Sequence, residues 1–285
     1  METGIREKQL TAHISKRCTL LVCFLLSVLH SQGIGVSQRT ADSLYAVSIY
    51  EKGKNYYKLD DGDSALLNLE KALELFKAGG FIKQIGVAHN RIAMTYFDVS
   101  GDWKMAEKHW LKTMETREEL KDSSGIARVK HYLGNVYTEM ASYKKADGFY
   151  KESLEFWKAH DNVKKITQNL NSLGLLEKER ERYYFSEKYF NQSLALLDES
   201  DNEKRAKILN NLGYLAYSRD DYGKAHEYYI QSLNLFGDYF THKDKVKMLL
   251  NLGNVFSAYN DTASARMHYF KALELVEDHK ENKAL

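Results

Sequence analysis

The sequence of 285 residues predicts an all-α protein, an α-solenoid of six antiparallel helix pairs. A small residue recurs at positions 53, 93, 134, 174, 213 and 253, with spacings of 40, 41, 40, 39 and 40 residues. A second small residue follows each of these after 12 or 13 positions. The chain contains no proline, and its turns use Asp, Asn, Ser and Gly instead. A period that holds over six copies is typical of a repeat protein, in which stacked units bury one continuous core.

The first helix of each pair carries the small residue of this period within a Leu-Gly element. In the four clear copies a leucine precedes Gly134, Gly174, Gly213 and Gly253. The two weaker copies have glycine at position 53 and alanine at position 93. A small residue at this position lets a neighbouring helix approach closely.

The second helix of each pair carries three columns, which are small, large and small. The first small column is Ala65, Ala106, Ala146, Ser186, Ala225 and Ala265. Four residues later comes the large column of Leu69, Trp110, Tyr150, Phe190, Tyr229 and Tyr269. Three residues further on comes the second small column of Ala72, Thr113, Ser153, Ser193, Ser232 and Ala272. Spacings of four and three place these columns on one helix face, so the large residue can fill the space between layers.

Turn signals separate the helices, because Asp, Asn and Ser recur there and can cap the helix that follows. We expect helices over residues 39–58, 63–78, 82–98, 103–120, 123–139, 143–160, 162–180, 183–199, 202–218, 222–237, 243–259 and 262–279. They form repeats at about 41–80, 81–121, 122–161, 162–200, 201–241 and 242–280, within one elongated domain over residues 37–285.

The N-terminal segment, residues 1–36, has the pattern of a secretory signal peptide. Lys16 and Arg17 precede an apolar run over residues 18–29, and small residues follow it. This run is shorter than the roughly 20 residues that a membrane span needs. The stretch up to Arg17 is long for a signal peptide, so the alternatives are a true start further downstream and an uncleaved membrane anchor. A buried helix of a cytosolic protein is a further alternative. We expect export to the periplasm or cell envelope, with a cytoplasmic location as the alternative.

Charge and composition exclude several classes of function. The chain has 41 Lys and Arg against 39 Asp and Glu, so no net field attracts nucleic acid. Two cysteines are too few for a zinc site, and the ten histidines are scattered. No glycine-rich phosphate loop occurs. We therefore expect no catalytic residues, no cofactor, no metal and no nucleic-acid partner.

The combined columns, Leu-Gly-x-x-Tyr followed by Ala, an aromatic residue and Ala, resemble the tetratricopeptide repeat over about residues 41–279. The common form has 34 residues and a proline near its end. The longer period here is similar to a subclass seen in kinesin light chain, the maltose-regulon activator and peptide-sensing bacterial regulators. The resemblance implies a right-handed superhelix whose concave face is lined by the first helix of every pair. It also implies binding of peptides or partner proteins rather than catalysis.

In this family a stripe beside the buried face of each first helix faces the groove. Its positions lie three before, one after and four after the small residue of the period, and the position six before adds further side chains. From these positions we expect the groove to contain Asn90, Arg128, His131, Asn135, Asn171, Lys207, Asn210, Tyr214, Tyr217, Lys247 and Asn254.

Asparagine recurs in this stripe although it is a mediocre helix former. Its amide can donate to and accept from an extended peptide backbone at once. The alternative is that these asparagines bond to the neighbouring repeat and have only a structural role. The basic residues Arg128, Lys207 and Lys247 either accept a carboxylate or are simply solvated. They do not match the register of the carboxylate-clamp members of the family.

These observations favour a non-enzymatic scaffold that binds a peptide or protein, as the sensory or interaction module of an envelope signalling system. The alternative is a cytosolic regulator that senses a peptide. Membrane contact would come only through an uncleaved N-terminal segment. A homodimer through the terminal pairs is a further expectation, because the last helix keeps Tyr269, Leu273 and Val276 without a following repeat.

Overall fold

A computed structural model describes residues 38–235 and 242–284, and the chain forms twelve α-helices and no strand in these ranges. The helices are α1 (Gln38–Lys58), α2 (Gly62–Ala78), α3 (Ile82–Thr95), α4 (Trp103–Glu119), α5 (Ser123–Glu139), α6 (Tyr143–Ala159), α7 (Val163–Glu179), α8 (Tyr183–Ala195), α9 (Asn202–Tyr217), α10 (Tyr222–Leu235), α11 (His242–Ala258) and α12 (Thr262–Ala284). The predicted all-α class is therefore confirmed. Residues 1–36, with the predicted signal peptide or anchor, lie outside the described residues.

The helix bounds lie close to the predicted ones, with three differences. A short π-helix, Tyr96–Ser100, follows α3. Helix α8 ends at Ala195 rather than at residue 199, and α12 continues to Ala284 rather than ending at residue 279. None of the helices in 38–235 and 242–284 is both long and apolar enough to cross a membrane.

The turn within each helix pair has the same backbone conformation in all six copies. One residue adopts a left-handed conformation, with φ between 53° and 67°; these residues are Asp60, Gly101, Ala141, Glu181, Asp220 and Asn260. In five copies the N–H group of the next residue then donates to a carbonyl five residues earlier, as from Ser142 to Tyr137 at 2.8 Å. In the copy that contains the π-helix, Asp102 donates to the Tyr96 carbonyl, six residues earlier. This bond closes the end of the first helix without a proline.

The residue after the left-handed position begins the second helix, and in four copies it is an aspartate that caps it. Asp61, Asp102, Asp221 and Asp261 each accept a hydrogen bond from the N–H three residues later, at 3.0–3.2 Å. These bonds satisfy N–H groups that have no partner inside the helix. The predicted capping role of the turn residues is confirmed at these four positions.

The two helices of a pair meet at the glycine column and the large column. A Cβ atom added to Gly134 would lie 2.5 Å from the Tyr150 ring, and one added to Gly174 would lie 2.5 Å from the Phe190 ring. Since real Cβ atoms do not approach so closely, glycine is required for this approach of the helices. The flanking small columns are fully or almost fully buried, including the serine of each pair where one occurs.

The chain divides into two compact units, the N-terminal unit (Glu2–Glu152) and the C-terminal unit (Ser153–Leu285). The prediction of one domain over residues 37–285 stays a prediction.

A pair of histidines is buried in the N-terminal unit, between α3 and α4. The Nδ1 atoms of His89 and His109 are 3.0 Å apart, so one ring donates a hydrogen bond to the other. Both side chains are more than nine-tenths buried. The pKa of each is lowered to about 4, chiefly by burial; His109, Lys77 and Lys112 contribute to the shift of His89, and Lys108 and Lys77 to that of His109. Both rings are therefore neutral near pH 7.

In the C-terminal unit, serines of the second small column tie the two helices of a pair together. Ser193 Oγ donates to the Thr167 carbonyl at 3.1 Å, and Ser232 Oγ donates to the Ala206 carbonyl at 2.5 Å. Apolar side chains, among them Phe190 and Leu212, fill the space around them. These two buried hydroxyl groups thus have partners, whereas Ser153 Oγ, in the same column, has none within the described residues.

Candidate functional site

The predicted groove residues all lie on odd-numbered helices, which are the first helices of the pairs. The N-terminal unit holds Asn90 on α3 and Arg128, His131 and Asn135 on α5. The C-terminal unit holds Asn171 on α7, Lys207, Asn210, Tyr214 and Tyr217 on α9, and Lys247 and Asn254 on α11.

In the N-terminal unit, a small cavity of about 150 Å³ lies between α3, α4 and α5. We call it the closed cavity; it is lined by Asn90, Thr113, Arg117, Gly125, Arg128, Val129 and Tyr132. The indole Nε1 of Trp110 donates to Asn90 Oδ1 at 3.2 Å. The Trp110 ring also stacks on Tyr132, with ring centroids 5.2 Å apart. Asn90 is therefore held by the protein itself.

Asp122, in the turn before α5, neutralises the basic side chains beside the closed cavity. Its carboxylate accepts from Arg117 Nη1 at 2.9 Å and from the Gly125 N–H at 2.8 Å, and it lies 4.0 Å from Arg128 Nη2. Partial burial would raise the pKa of Asp122, but these bonds and the Ser124 hydroxyl outweigh burial and lower it. The charge of Arg117 thus already has a counterion.

The other two predicted residues of α5 are also engaged inside the N-terminal unit. His131 is only 5% exposed and packs against the rings of Tyr132 and Tyr150. Asn135 Oδ1 accepts from the Tyr150 hydroxyl at 2.8 Å. Both side chains therefore contribute to packing between α5 and α6 within this unit.

In the C-terminal unit, a larger cleft of about 360 Å³ lies between α7, α8 and α9. We call it the open cleft; it is lined by Lys164, Thr167, Gln168, Asn171, Ser193, Leu197, Lys204, Lys207 and Ile208. Two predicted residues, Asn171 and Lys207, lie in this lining. Asn171 Oδ1 is buried and has no hydrogen-bond partner within the described part of the chain.

The sequence interpretation missed two lysines of the open cleft, Lys164 and Lys204. They lie ten and nine residues before the glycine of their repeats, in the first turns of α7 and α9. A lysine in the first turn of two consecutive first helices was the signal that could have identified them. Lys204 Nζ lies 2.5 Å from Asp201, and Lys207 Nζ lies 2.5 Å from Glu203, in pairs that are well exposed.

On α9, the predicted groove residues differ in how accessible they are. Asn210 is 9% exposed, and its Oδ1 accepts from Asn251 Nδ2 of the next repeat at 2.9 Å. Tyr214 is 43% exposed, and Lys178 Nζ lies 5.0 Å from its ring centroid. Tyr217 is half-buried against the Tyr222 ring. The exposed aromatic surface of α9 therefore centres on Tyr214.

On α11, Lys247 and Asn254 are both exposed. Asn254 Oδ1 accepts from the Tyr269 hydroxyl at 2.8 Å, which repeats the bond between Tyr150 and Asn135 at the same positions of another repeat. Tyrosine in the large column and asparagine after the glycine thus form a recurring pair.

Four of the five predicted groove asparagines, therefore, accept a hydrogen bond from the protein itself. Their donors are Trp110 for Asn90, Tyr150 for Asn135, Asn251 for Asn210 and Tyr269 for Asn254. Asn171 is the exception among the five within the described residues. The alternative that these asparagines have only a structural role therefore explains the four that have donors. It does not explain Asn171.

Comparison with known proteins places these repeats in a family. The sequence profile of the tetratricopeptide repeat matches residues 84–159 and 166–238, which together exceed half of the chain.

Solved structures of the same fold cover most of the chain. The apo form of the quorum sensor NprR from B. thuringiensis is 16% identical, with a TM-score of 0.67, and the match covers 99% of this chain and 78% of that one. NprR in complex with its cognate peptide NprX is 15% identical, with a TM-score of 0.62 and coverage of 98% and 80%. BtubC from P. vanneervenii is 19% identical, with a TM-score of 0.60 and coverage of 86% and 93%. At these identities the likeness shows a common fold.

Proposed function

Because the chain belongs to the tetratricopeptide repeat family, we propose that it is a non-enzymatic scaffold that binds a peptide or an extended segment of a partner protein. The observation that carries this proposal is the open cleft, whose lining combines the amide side chains of Gln168 and Asn171 with lysines and apolar groups. An extended peptide has backbone N–H and C=O groups that amide side chains can bond.

The ligand surface that we propose lies on the first helices of the C-terminal unit. Asn171 and Lys207 line the open cleft, Tyr214 offers an exposed ring, and Lys247 and Asn254 are exposed on α11. An aromatic ring gives contact area at a small entropic cost, and amide and ammonium groups add hydrogen bonds. In the N-terminal unit, Asn90, Arg128, His131 and Asn135 would support the helices, as would Asn210 and the half-buried Tyr217 of the C-terminal unit.

A structural neighbour supports this proposal, since NprR has the same fold and has been solved with its cognate peptide. The regular turns of this chain support its assignment to the long-repeat subclass, because their left-handed residues recur every 39–41 positions. That spacing is longer than the 34 residues of the common repeat.

The test of the proposed function is a selection of random twelve-residue peptides on the full chain, followed by binding measurements with the selected peptides. We expect Tyr214→Ala and Asn171→Ala to weaken binding at least about tenfold. The matched control is Tyr184→Ala, which removes a more exposed tyrosine from the second helix α8. Failure to select any peptide, or equal binding by all three variants with unchanged helicity, would contradict the proposal.

We further propose that the chain acts at the cell envelope after export, as an interaction or sensory module. The support is the sequence pattern of residues 1–36, in which basic residues precede a short apolar run. N-terminal sequencing of the protein from fractionated cells tests this placement. An envelope protein that begins near residue 36 is expected, whereas a cytosolic protein with Met1 intact would favour the peptide-sensing cytosolic regulator.

A further inference from the structure

A cleft of about 780 Å³ opens in the N-terminal unit between the second helices α2 and α4. We call it the histidine cleft, because His89 of α3 and His109 of α4 both belong to its lining. The groove predicted for a peptide lies on the first helices, so this cleft belongs to a different surface of the repeats. Its volume is within the range of small-molecule sites.

The two histidines form a polar base for the histidine cleft. Both rings are more than nine-tenths buried, and their Nδ1 atoms are 3.0 Å apart. The ring that accepts this hydrogen bond at Nδ1 carries its proton at Nε2, so the neutral pair keeps one N–H donor besides the shared one. The α7–α8 pair has Leu170 and Tyr189 at the same positions. The repeat fold therefore does not require histidines at the base of this cleft.

Positive charge exceeds negative charge around the histidine cleft. The lining contains four lysines and two glutamates, namely Lys71, Lys77, Lys108, Lys112, Glu70 and Glu74. Lys77 and Lys112 pair with exposed acids of their own helices at 3.1 and 2.7 Å, and such surface pairs exchange readily. Within the described residues, neither Lys71 nor Lys108 belongs to an ion pair. Four positive charges against two negative ones favour an anionic ligand.

The positive field of these lysines reaches the base of the cleft. Burial is the main cause of the lowered pKa of both histidines, but Lys77 lowers the pKa of both rings as well. Lys112 adds to the shift of His89, and Lys108 adds to that of His109. Because these ammonium groups act on the same two rings, an anion in the cleft would be attracted by several of them at once.

The rest of the lining is apolar and partly uncovered. Leu73 is 4% exposed and Met105 is half-buried, whereas Leu67 is 71% exposed. Covering an exposed leucine with an apolar group is favourable, and a methionine side chain adapts to irregular shapes. The histidine cleft thus combines an excess of positive charge, a spare N–H donor and an apolar wall.

We propose that the histidine cleft binds a small amphipathic anion, an organic molecule that carries a carboxylate or phosphate group on an apolar chain. The anionic group lies among the four lysines and accepts a hydrogen bond from the histidine pair. The apolar chain packs against Leu67, Leu73 and Met105. This inference goes beyond the proposed function, because the peptide surface proposed above lies on first helices of the C-terminal unit.

The experiment titrates the full chain with octanoate, octyl phosphate, 1-octanol and acetate. Octanol has the apolar chain without the charge, and acetate has the charge without the chain. Binding is followed by NMR shifts of the ring protons of His89 and His109 and of the Met105 methyl group. We expect at least one octyl anion to bind about tenfold more tightly than octanol and acetate, and less tightly at high salt. The octyl anion that binds better identifies the head group.

The charge-removing variant is Lys71→Gln with Lys108→Gln, which leaves two lysines and two glutamates in the lining. Its matched control is Lys144→Gln with Lys188→Gln, at exposed lysines outside the cleft. We expect the first variant to bind the octyl anions no more tightly than octanol, and the control to keep the preference of the wild type.

Three results would overturn the anion site. The first is equal binding of octanol and the octyl anions to the wild type. The second is a preference for the octyl anions that the Lys71→Gln, Lys108→Gln variant keeps in full. The third is the absence of shifts at His89, His109 and Met105 at millimolar concentrations of both octyl anions.

Discussion

The closed cavity of the N-terminal unit and the open cleft of the C-terminal unit have the same helix framework and opposite hydrogen-bond states. In the closed cavity, Asn90 receives the indole N–H of Trp110, and Arg117 is neutralised by Asp122. In the open cleft, Asn171 has no donor within the described residues, and lysines line the space without an acid among them. Phenylalanine at the tryptophan position, in Phe190, is the replacement that separates the two states.

This difference teaches that the backbone of the repeat does not define a site by itself. The small residue of the period, Ala93 or Gly174, and the large residue of the facing helix, Trp110 or Phe190, bring the two helices of a pair together in both places. The polar ends of the large residues then decide whether the neighbouring asparagine has a hydrogen-bond donor inside the protein.

The largest effect that we predict comes from removing the indole N–H donor of Trp110 in the N-terminal unit. Trp110→Phe leaves Asn90 Oδ1 without a partner and shortens the stack on Tyr132. We expect a loss of about 2–3 kcal/mol in stability, from the unpaired carbonyl and the lost ring contact. Thermal and urea denaturation followed by circular dichroism would measure it. Adding Asn90→Leu should recover part of the loss, and no recovery would contradict the role given to the hydrogen bond.

The second prediction concerns acid, which should loosen the α3–α4 pair of the N-terminal unit before the α7–α8 pair. The folded-state pKa values of His89 and His109 are about 4, below the ordinary value of 6.5. Stability from the neutral pair is therefore fully present above pH 6.5 and is lost as the pH falls towards 4. The equivalent positions in the other pair are Leu170 and Tyr189, so that pair has no histidines there.

Hydrogen exchange, corrected for intrinsic rates, checks this difference between pH 7 and pH 4.5. We expect the opening free energy of α3–α4 to fall by about 2 kcal/mol, with a smaller change in α7–α8. The double variant His89→Gln with His109→Gln should remove most of the difference between the pairs. An equal response of both pairs in the wild type would show that the histidine pair is not responsible.

The framework of both cavities could be predicted from the sequence, because it depends on periodic residues. Gly174 and Phe190, for example, are members of columns that recur six times, and the structure places them in contact. The all-α class, the helix pairs and most helix bounds follow from these columns and from the aspartates that cap the helices.

The state of each asparagine could not be predicted in this way. Whether Asn90 or Asn171 has a hydrogen-bond donor depends on one residue of the facing helix, 20 positions later for Asn90 and 19 positions later for Asn171. It also depends on the angle at which the ring of that residue approaches the amide. Periodicity identifies the position of such a side chain but not its hydrogen-bond partner. The same limit applies to Lys164, whose place in the cleft depends on how two consecutive repeats pack.

A third prediction compares the two asparagines directly. Asn171→Leu should leave stability unchanged or raise it by about 1 kcal/mol, since it removes a buried oxygen without a donor. Asn90→Leu in the otherwise wild-type chain should instead lower stability by about 1–2 kcal/mol, since it leaves the Trp110 N–H unpaired. Denaturation of the two variants side by side is the measurement. Destabilisation by Asn171→Leu as large as that by Asn90→Leu would mean that Asn171, like Asn90, stabilises the folded protein.

The smallest effect is expected at the turns that lead into the two cavities. The turn before α5 contains Lys121 in a left-handed conformation, with φ of 52°, whereas no residue in 196–201 before α9 has a positive φ. A residue with a side chain is strained there and glycine is not, although glycine also gains freedom in the unfolded chain. Lys121→Gly should therefore raise stability by about 0.5 kcal/mol, while Ser200→Gly should lower it by a similar amount. If both substitutions shifted the denaturation midpoint in the same direction, the two turns would not differ in strain, and the contrast between the two cavities would rest on their side chains alone.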